Sequence, residues 1–291
     1  MDQTTLLWTL AGTFFAGFAL FMQKIVAEEG RSAAFNGMLA YGITGLIALA
    51  LLVPSLQSVP DDWGIIAFFG LTAGAIHGLC NFLRIESLKH IDSVLFFPLN
   101  KVFGPLLVVI GAVVLFKDTL SFVQYIGIGL SLTVPLLLVS SVEHSRQKNL
   151  SLGLKLLLVS TVLSAVSLLL TKQGLLYGSA ILFMLCMSQI TGTLASVAIL
   201  LRQHGAGFKM FSHADRRDVH LGVLSGIFMF ISSYCLFAAL STGLASVVYV
   251  IQAHYILIPI VLSVWWYRDH INMRKFAAVV VSFFAIALLA I

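Results

Sequence analysis

The sequence predicts an all-α integral membrane protein of ten transmembrane helices in two inverted five-helix repeats. Three observations carry that expectation. First, 59% of the 291 residues are hydrophobic and 10% are Asp, Glu, Lys or Arg, against roughly 25% charged in a soluble domain; mean hydropathy is +1.02. Such a surface cannot meet water. This excludes a soluble enzyme, a nucleic-acid-binding domain and a disordered chain, and makes lipid the solvent. Second, charges and turn residues cut the chain into ten apolar segments. Third, the pattern of the first five segments recurs in the second five.

The segments lie near 5–23, 34–53, 63–83, 92–116, 120–140, 150–171, 179–201, 219–240, 243–267 and 272–291. Most approach the ~20 residues that cross a bilayer as a helix. The first follows Met-Asp-Gln-Thr-Thr, which lacks the basic start of a signal peptide, so it reads as a retained span. It ends at Glu28-Glu29-Gly30-Arg31. Pro60-Asp61-Asp62 precedes the third, and Lys117-Asp118 closes the fourth. The stretch from Glu143 to Asn149 separates the fifth and sixth, and the longest hydrophilic run, Arg202 to His220, precedes the eighth. The eighth and ninth are parted only by an uncharged break at Thr242-Gly243. All are too long for membrane strands and lack period-2 alternation, so helices alone satisfy their backbones in lipid.

The repeat is visible in the residues. FALFMQK ends the first span and SLLLTKQ the sixth, which places Lys24 on Lys172. SLKHIDSV, an apolar span and Lys117-Asp118 recur as ALSTGLASV, an apolar span and Arg268-Asp269. Two units follow, 1–142 and 150–291. Five spans per unit is odd, so the units insert in opposite senses, and the expected site lies at their interface near the midplane.

These residues resemble the drug/metabolite transporter superfamily, of the EamA-like type. The resemblance rests on the two five-span halves, the S/A-L-x(5)-S/A pattern leading into spans four and nine, and the charged pairs that close those spans. The small-residue spans that follow add to it. It implies a central cavity lined by spans 1, 3, 4, 6, 8 and 9, alternating access to metabolites, and peripheral fifth and tenth spans. The small multidrug exporters of the same superfamily depend on a carboxylate in their first span. Here that span runs LLWTLAGTFFAGFALFM, which disfavours a proton/cationic-drug antiporter.

Fourteen Lys and Arg follow odd-numbered spans and two, Lys117 and Lys172, follow even-numbered ones. The positive-inside rule then places the odd loops in the cytoplasm and both termini outside. Many members of the resembling family keep both termini inside.

One cation remains. Lys101 lies about ten residues into span four, and a lysine at that depth costs roughly 2.5–3.5 kcal/mol on insertion scales. It either faces a cavity or snorkels to an interface. The repeat sets it opposite His254 or Ala253. Asn100 and Lys101 precede Gly104-Pro105, and Gln252 and His254 precede Pro259; prolines in both spans leave carbonyls without helix partners. His77, Asn81 and Arg84 share a face of span three. Tyr249, Tyr234, Ser232, Ser233 and Gln189 complete the candidates for substrate contact. Arg84 reads equally as a loop anchor. Gly70, Gly74 and Gly78 on span three, and Gly222 and Gly226 on span eight, predict closely packed helices. Trp8, Trp63, Trp265 and Trp266 fall at span ends, as an interfacial belt would.

No HExxH, P-loop or GxSxG is present, so an enzyme is not expected. Neither is a cofactor, a metal or a nucleic-acid partner. Cys80, Cys186 and Cys235 lie inside apolar runs without a CxxC spacing. The expected protein is a secondary active transporter of a small anionic or zwitterionic metabolite, amino-acid-like or an organic acid, in the cell (inner) membrane, as monomer or homodimer. The alternatives are an exporter of aromatic or cationic compounds, walled by Phe96, Phe97, Phe103, Tyr249 and Tyr255, or a non-transporting scaffold.

Overall fold

A computed structural model of the chain describes residues 1–54, 61–88, 90–91, 93–138, 149–178, 180–204, 215–259, 261–262 and 273–291. The described residues form helices and no strand. In chain order these are α1 (Gln3–Glu28), α2 (Ala33–Leu52), α3 (Trp63–Leu88), α4 (Ser93–Phe116), α5 (Phe122–Leu137), α6 (Leu150–Leu176), α7 (Ile181–His204), α8 (Arg216–Thr242), α9 (Ala245–Gln252) and α10 (Met273–Ala290). A 3-10 turn, Ala253–Ile256, continues α9. Seven helices are long and apolar enough to cross a membrane; three apolar ones, Phe122–Leu137, Ala245–Pro259 and Phe276–Ala290, are shorter. Each of the shorter three adjoins chain outside the described residues.

Local chemistry fixes the helix starts. Ser32 caps α2 by accepting from Phe35 N, and Asn149 caps α6 by accepting from Leu152 N. Ser121 with Gln124, and Asp215 with Asp218, form capping boxes at α5 and α8; each satisfies amide donors that a helix start leaves free. Gly30 stops α1 at φ +64, a left-handed conformation that glycine takes without steric cost.

The outer faces are apolar: Leu7, Leu46, Phe68, Val114, Phe122 and Phe283 are all exposed. Inside, association rests on close packing, because lipid is as apolar as the core. The predicted small-residue faces show this. Gly70, Gly74 and Gly78 of α3 seat α7, through Met187, Ser188 and Ala195; Gly222 and Gly226 of α8 seat α2, through Leu39 and Ile43.

The most extensive contacts between the first five helices and the second five follow one rule. α3 packs on α6 and α1 on α8; α3 packs on α7 and α2 on α8. α4 packs on α6 and α9 packs on α1. α2 also packs on α7, α4 on α9, and α5 on α10. Exchanging the first five helices for the second five carries every one of these pairs onto another or onto itself.

At the end bearing both termini the seams are hydrogen-bonded. The Met1 ammonium donates to Ala290 O at 3.2 Å, and the Thr5 and Thr242 hydroxyls are 2.8 Å apart. At the other end Arg31 bridges Glu29, Asp215 and Asp218, and Arg217 bonds Glu29, tying the α1–α2 turn to the start of α8. Lys24 side-chain contacts, Lys89, Trp265, Trp266 and the pair Arg268-Asp269 lie outside the described residues.

Candidate functional site

Both halves wall a cavity of about 220 Å³ in the middle of the bundle. At ~30 Å³ each, that is room for roughly seven waters. It is smaller than the ~300–1,000 Å³ pockets that take drug-sized ligands.

Helix α3 supplies His77, Asn81 and Arg84, spaced by four and three residues along one face. Helix α4 supplies Lys101, which is 6% exposed. Pro105, one turn on, has no N–H for the Lys101 carbonyl. The neighbouring Asn100 turns the other way and donates Nδ2–H to Thr161 Oγ1 at 2.8 Å, tying α4 to α6. This tie fixes the rotation of α4 and so aims Lys101 inward. Its Nζ donates to Tyr255 Oη and lies 3.9 Å from the centroid of that ring, close enough for a cation–π contribution.

The second half answers with Tyr249, Gln252 and Tyr255. Tyr255 stands where the repeat places His254 or Ala253. A 3-10 segment winds three residues per turn in place of 3.6, so side chains after Gln252 lead their expected direction. His254 consequently turns back on its own helix, with Nδ1 3.0 Å from Val250 O and 3.2 Å from Ile251 O. His254 and Asn100 are therefore among the cavity's buried neighbours and not its lining. Tyr234 is also outside the lining: its ring packs edge-on to Trp8 at 5.9 Å and against Phe230 at 6.2 Å. Five of the eight candidates, Lys101, His77, Asn81, Tyr249 and Gln252, do meet at one place.

Helices α2 and α7 also contribute, beyond the six spans that the resemblance implies: Tyr41 and Gln189 reach the cavity. Tyr41 stands edge-on to His77 with 6.2 Å between centroids. Gln23 near the end of α1 joins them. Nothing in the sequence marked Tyr41 or Gln23 beyond polarity within an apolar run.

Arg84 is the second cation. Its Nε is shut off from solvent and has no hydrogen-bond partner among the described residues. Its Nη2 lies 3.8 Å from Cys80 Sγ, a weak acceptor. Among the described residues, no Asp or Glu lines the cavity. Of the aromatic residues expected as a wall, Tyr249 and Tyr255 line the cavity, joined by Tyr41 and Phe237. Phe96 is fully buried against Ile91 and Leu157, Phe103 is 39% exposed, and the Phe97 side chain lies outside the described residues.

Lys172 is buried too, but has two backbone acceptors. Its Nζ donates to Leu240 O at 2.5 Å and Gly243 O at 3.0 Å, carbonyls at the end of α8. Beside it Asp118 Oδ2 accepts from Ser246 N at 3.0 Å and Ser246 Oγ at 2.6 Å, at the start of α9. A cation at a helix C-terminus and an anion at an N-terminus both suit the helix dipoles.

A bundle of long apolar helices, lipid-like outside and holding a small cavity lined by both halves, defines a multi-pass integral membrane protein. Residues 3–140 and 151–291 each match the model of the EamA-like transporter family. The chain belongs to that family, within the drug/metabolite transporter superfamily, and its class of function is membrane transport of small molecules. A solved crystal structure of a protein 15% identical in sequence superposes with a TM-score of 0.75, over 99% of this chain and 96% of that one; it shares the fold. No curated protein matches the sequence.

Proposed function

We propose that the protein is a secondary active transporter that moves a small anionic or zwitterionic metabolite by alternating access, with Lys101 receiving the substrate's anionic group. The observation that carries this is a buried lysine on a cavity that no carboxylate lines among the described residues. A cation so placed is costly unless something pairs with it, and a passing anion is a natural partner. His77, Asn81, Tyr249 and Gln252 provide neutral polar contacts around it. Asn100 and His254 serve as the frame that holds α4 and α9. The cavity's volume of about 220 Å³ favours a small substrate over a bulky aromatic one.

The same reading takes 1–142 and 150–291 as two five-span units related by an in-plane two-fold axis. What supports it is the exchange symmetry of the helix pairs, together with an odd number of helices per unit. The charge asymmetry puts both termini outside. Cysteine placed at Ser212 should resist labelling from outside intact cells, and strong labelling there would reverse the assignment. For the function, thermal-shift screening with metabolite pools identifies a ligand. Counterflow in proteoliposomes then compares wild type with Lys101→Met. Wild-type flux in that variant would remove the assignment of Lys101.

A further inference from the structure

One anionic group does not balance this cavity. Lys101 and Arg84 both line it, and no carboxylate does among the described residues. Lys101 Nζ is held by a neutral hydroxyl, that of Tyr255. The Arg84 guanidinium keeps a buried Nε–H without a partner among the described residues, and an Nη2 that meets a thiol sulfur. A guanidinium offers a planar fork that fits two oxygens of one carboxylate or phosphate, whereas a lysine offers a point charge. The two cations thus line one volume with unlike donor geometries, a point charge and a planar fork.

Resting on the assignment of Lys101 to the substrate's anionic group, we infer that the substrate is a small dianion, with one acidic oxygen on Lys101 and a second oxygen pair in the fork of Arg84. A cavity of about 220 Å³ suits a short dicarboxylate or a small phosphomonoester. A monoanion leaves one cation unpaired. A zwitterion brings its ammonium among two like charges, which repel strongly where water is scarce. The amides of Asn81 and Gln252 and the hydroxyl of Tyr249 suit hydroxyl or ester oxygens on the remainder.

The test uses the purified full chain in phosphatidylcholine nanodiscs, with thermal unfolding read against succinate, glycerol 3-phosphate, lactate and alanine. A ligand raises stability by RT ln(1 + [L]/Kd), so apparent Kd values follow from titration. At least one dianion should bind about tenfold or more tightly than lactate and alanine, as expected for a second buried charge pair. Arg84→Gln should erase that ratio while lactate changes by less than about threefold. Arg84→Lys, which keeps the charge and loses the fork, should fall between. Ligand-free unfolding of both variants shows that each is folded, and Arg84→Lys carries the comparison if Arg84→Gln is not. Lowering the pH below ~6 should weaken glycerol 3-phosphate in the wild type, because its second proton returns there.

Lactate or alanine binding as tightly as the best dianion, and lost in Lys101→Met, overturns the dianion and leaves Lys101 as the anion contact. Binding of every probe that ignores Lys101→Met overturns both. No binding of either dianion at millimolar concentration overturns the dianion. Stabilisation by phosphatidylglycerol discs alone, abolished in Arg84→Gln, gives the cation pair to a lipid headgroup and overturns it as well.

Discussion

Lys101 and Lys172 are equally buried, each 6% exposed, yet they live in opposite circumstances. Lys172 spends its donors on two helix-end carbonyls beside Asp118. Lys101 has a tyrosine hydroxyl and an open volume. The difference teaches that burial alone does not mark a functional charge; the marker is a charge that faces an open volume. Lys172 closes backbone groups that would otherwise stand unsatisfied, so its removal harms the fold. Lys101 costs the resting fold something, so its removal harms only what binds it.

The sharpest way to break this comparison is to substitute both lysines. Lys172→Met should lower stability by about 2–4 kcal/mol, because carbonyls at the end of α8 lose charged donors and Asp118 loses its neighbour. Unfolding of the purified variant in detergent, read by fluorescence, measures this. Lys101→Met should unfold at or above the wild-type temperature while losing transport by about a hundredfold, as a lost charged contact predicts. Equal loss of stability in both would erase the distinction.

Smaller changes sharpen it. At Gly74 a Cβ would stand 2.2 Å from Ser188 O and Thr191 Oγ1, so Gly74→Ala must part α3 from α7. A cost of about 1–3 kcal/mol is expected, with transport impaired through the displaced His77 and Asn81. Tyr255→Phe keeps the ring under Lys101 and removes its hydroxyl. Apparent substrate affinity in counterflow should change by about three- to tenfold, with unaltered unfolding.

The smallest effect belongs to the exposed end. Hydrogen bonds from Arg31 and from the Asp218 amide hold the Asp215 carboxyl down at about 2, and those from Arg217 and Arg31 hold Glu29 below its usual range. A carboxylate with a depressed folded value lends stability above its unfolded pKa and loses it as the pH falls through the folded one. Stability should thus be level above pH ~5 and decline from pH ~4 towards 2. Arg31→Ala should remove most of that slope, read from unfolding midpoints across the acid range. Solvent screening keeps the amplitude slight.

How much of this was legible in the residues differs by level. The long apolar segments follow from local chemistry, since lipid demands helices of a set length. The glycine faces of α3 and α8 were legible for the same reason: spacing by four residues puts small side chains on one side whatever surrounds them. The exchange of Lys24 for Lys172 and of Lys117-Asp118 for Arg268-Asp269 marked two repeats without any coordinates.

The sequence by itself therefore determined a membrane-bound, two-repeat helical protein with one deep cation in the fourth helix, because hydropathy, charge and periodicity are properties of the chain alone. Only the tertiary structure decided which polar groups meet. Helical rotation is set by long-range ties such as Asn100 to Thr161, 61 residues apart, which no local window contains. A single 3-10 turn was enough to send His254 back to its own backbone and bring Tyr255 to Lys101. Arg84, as easily a loop anchor by its position near the end of a span, became a cavity cation because α3 runs on to Leu88. Side-chain direction in a bundle depends on packing against other helices, and those partners come from the opposite repeat.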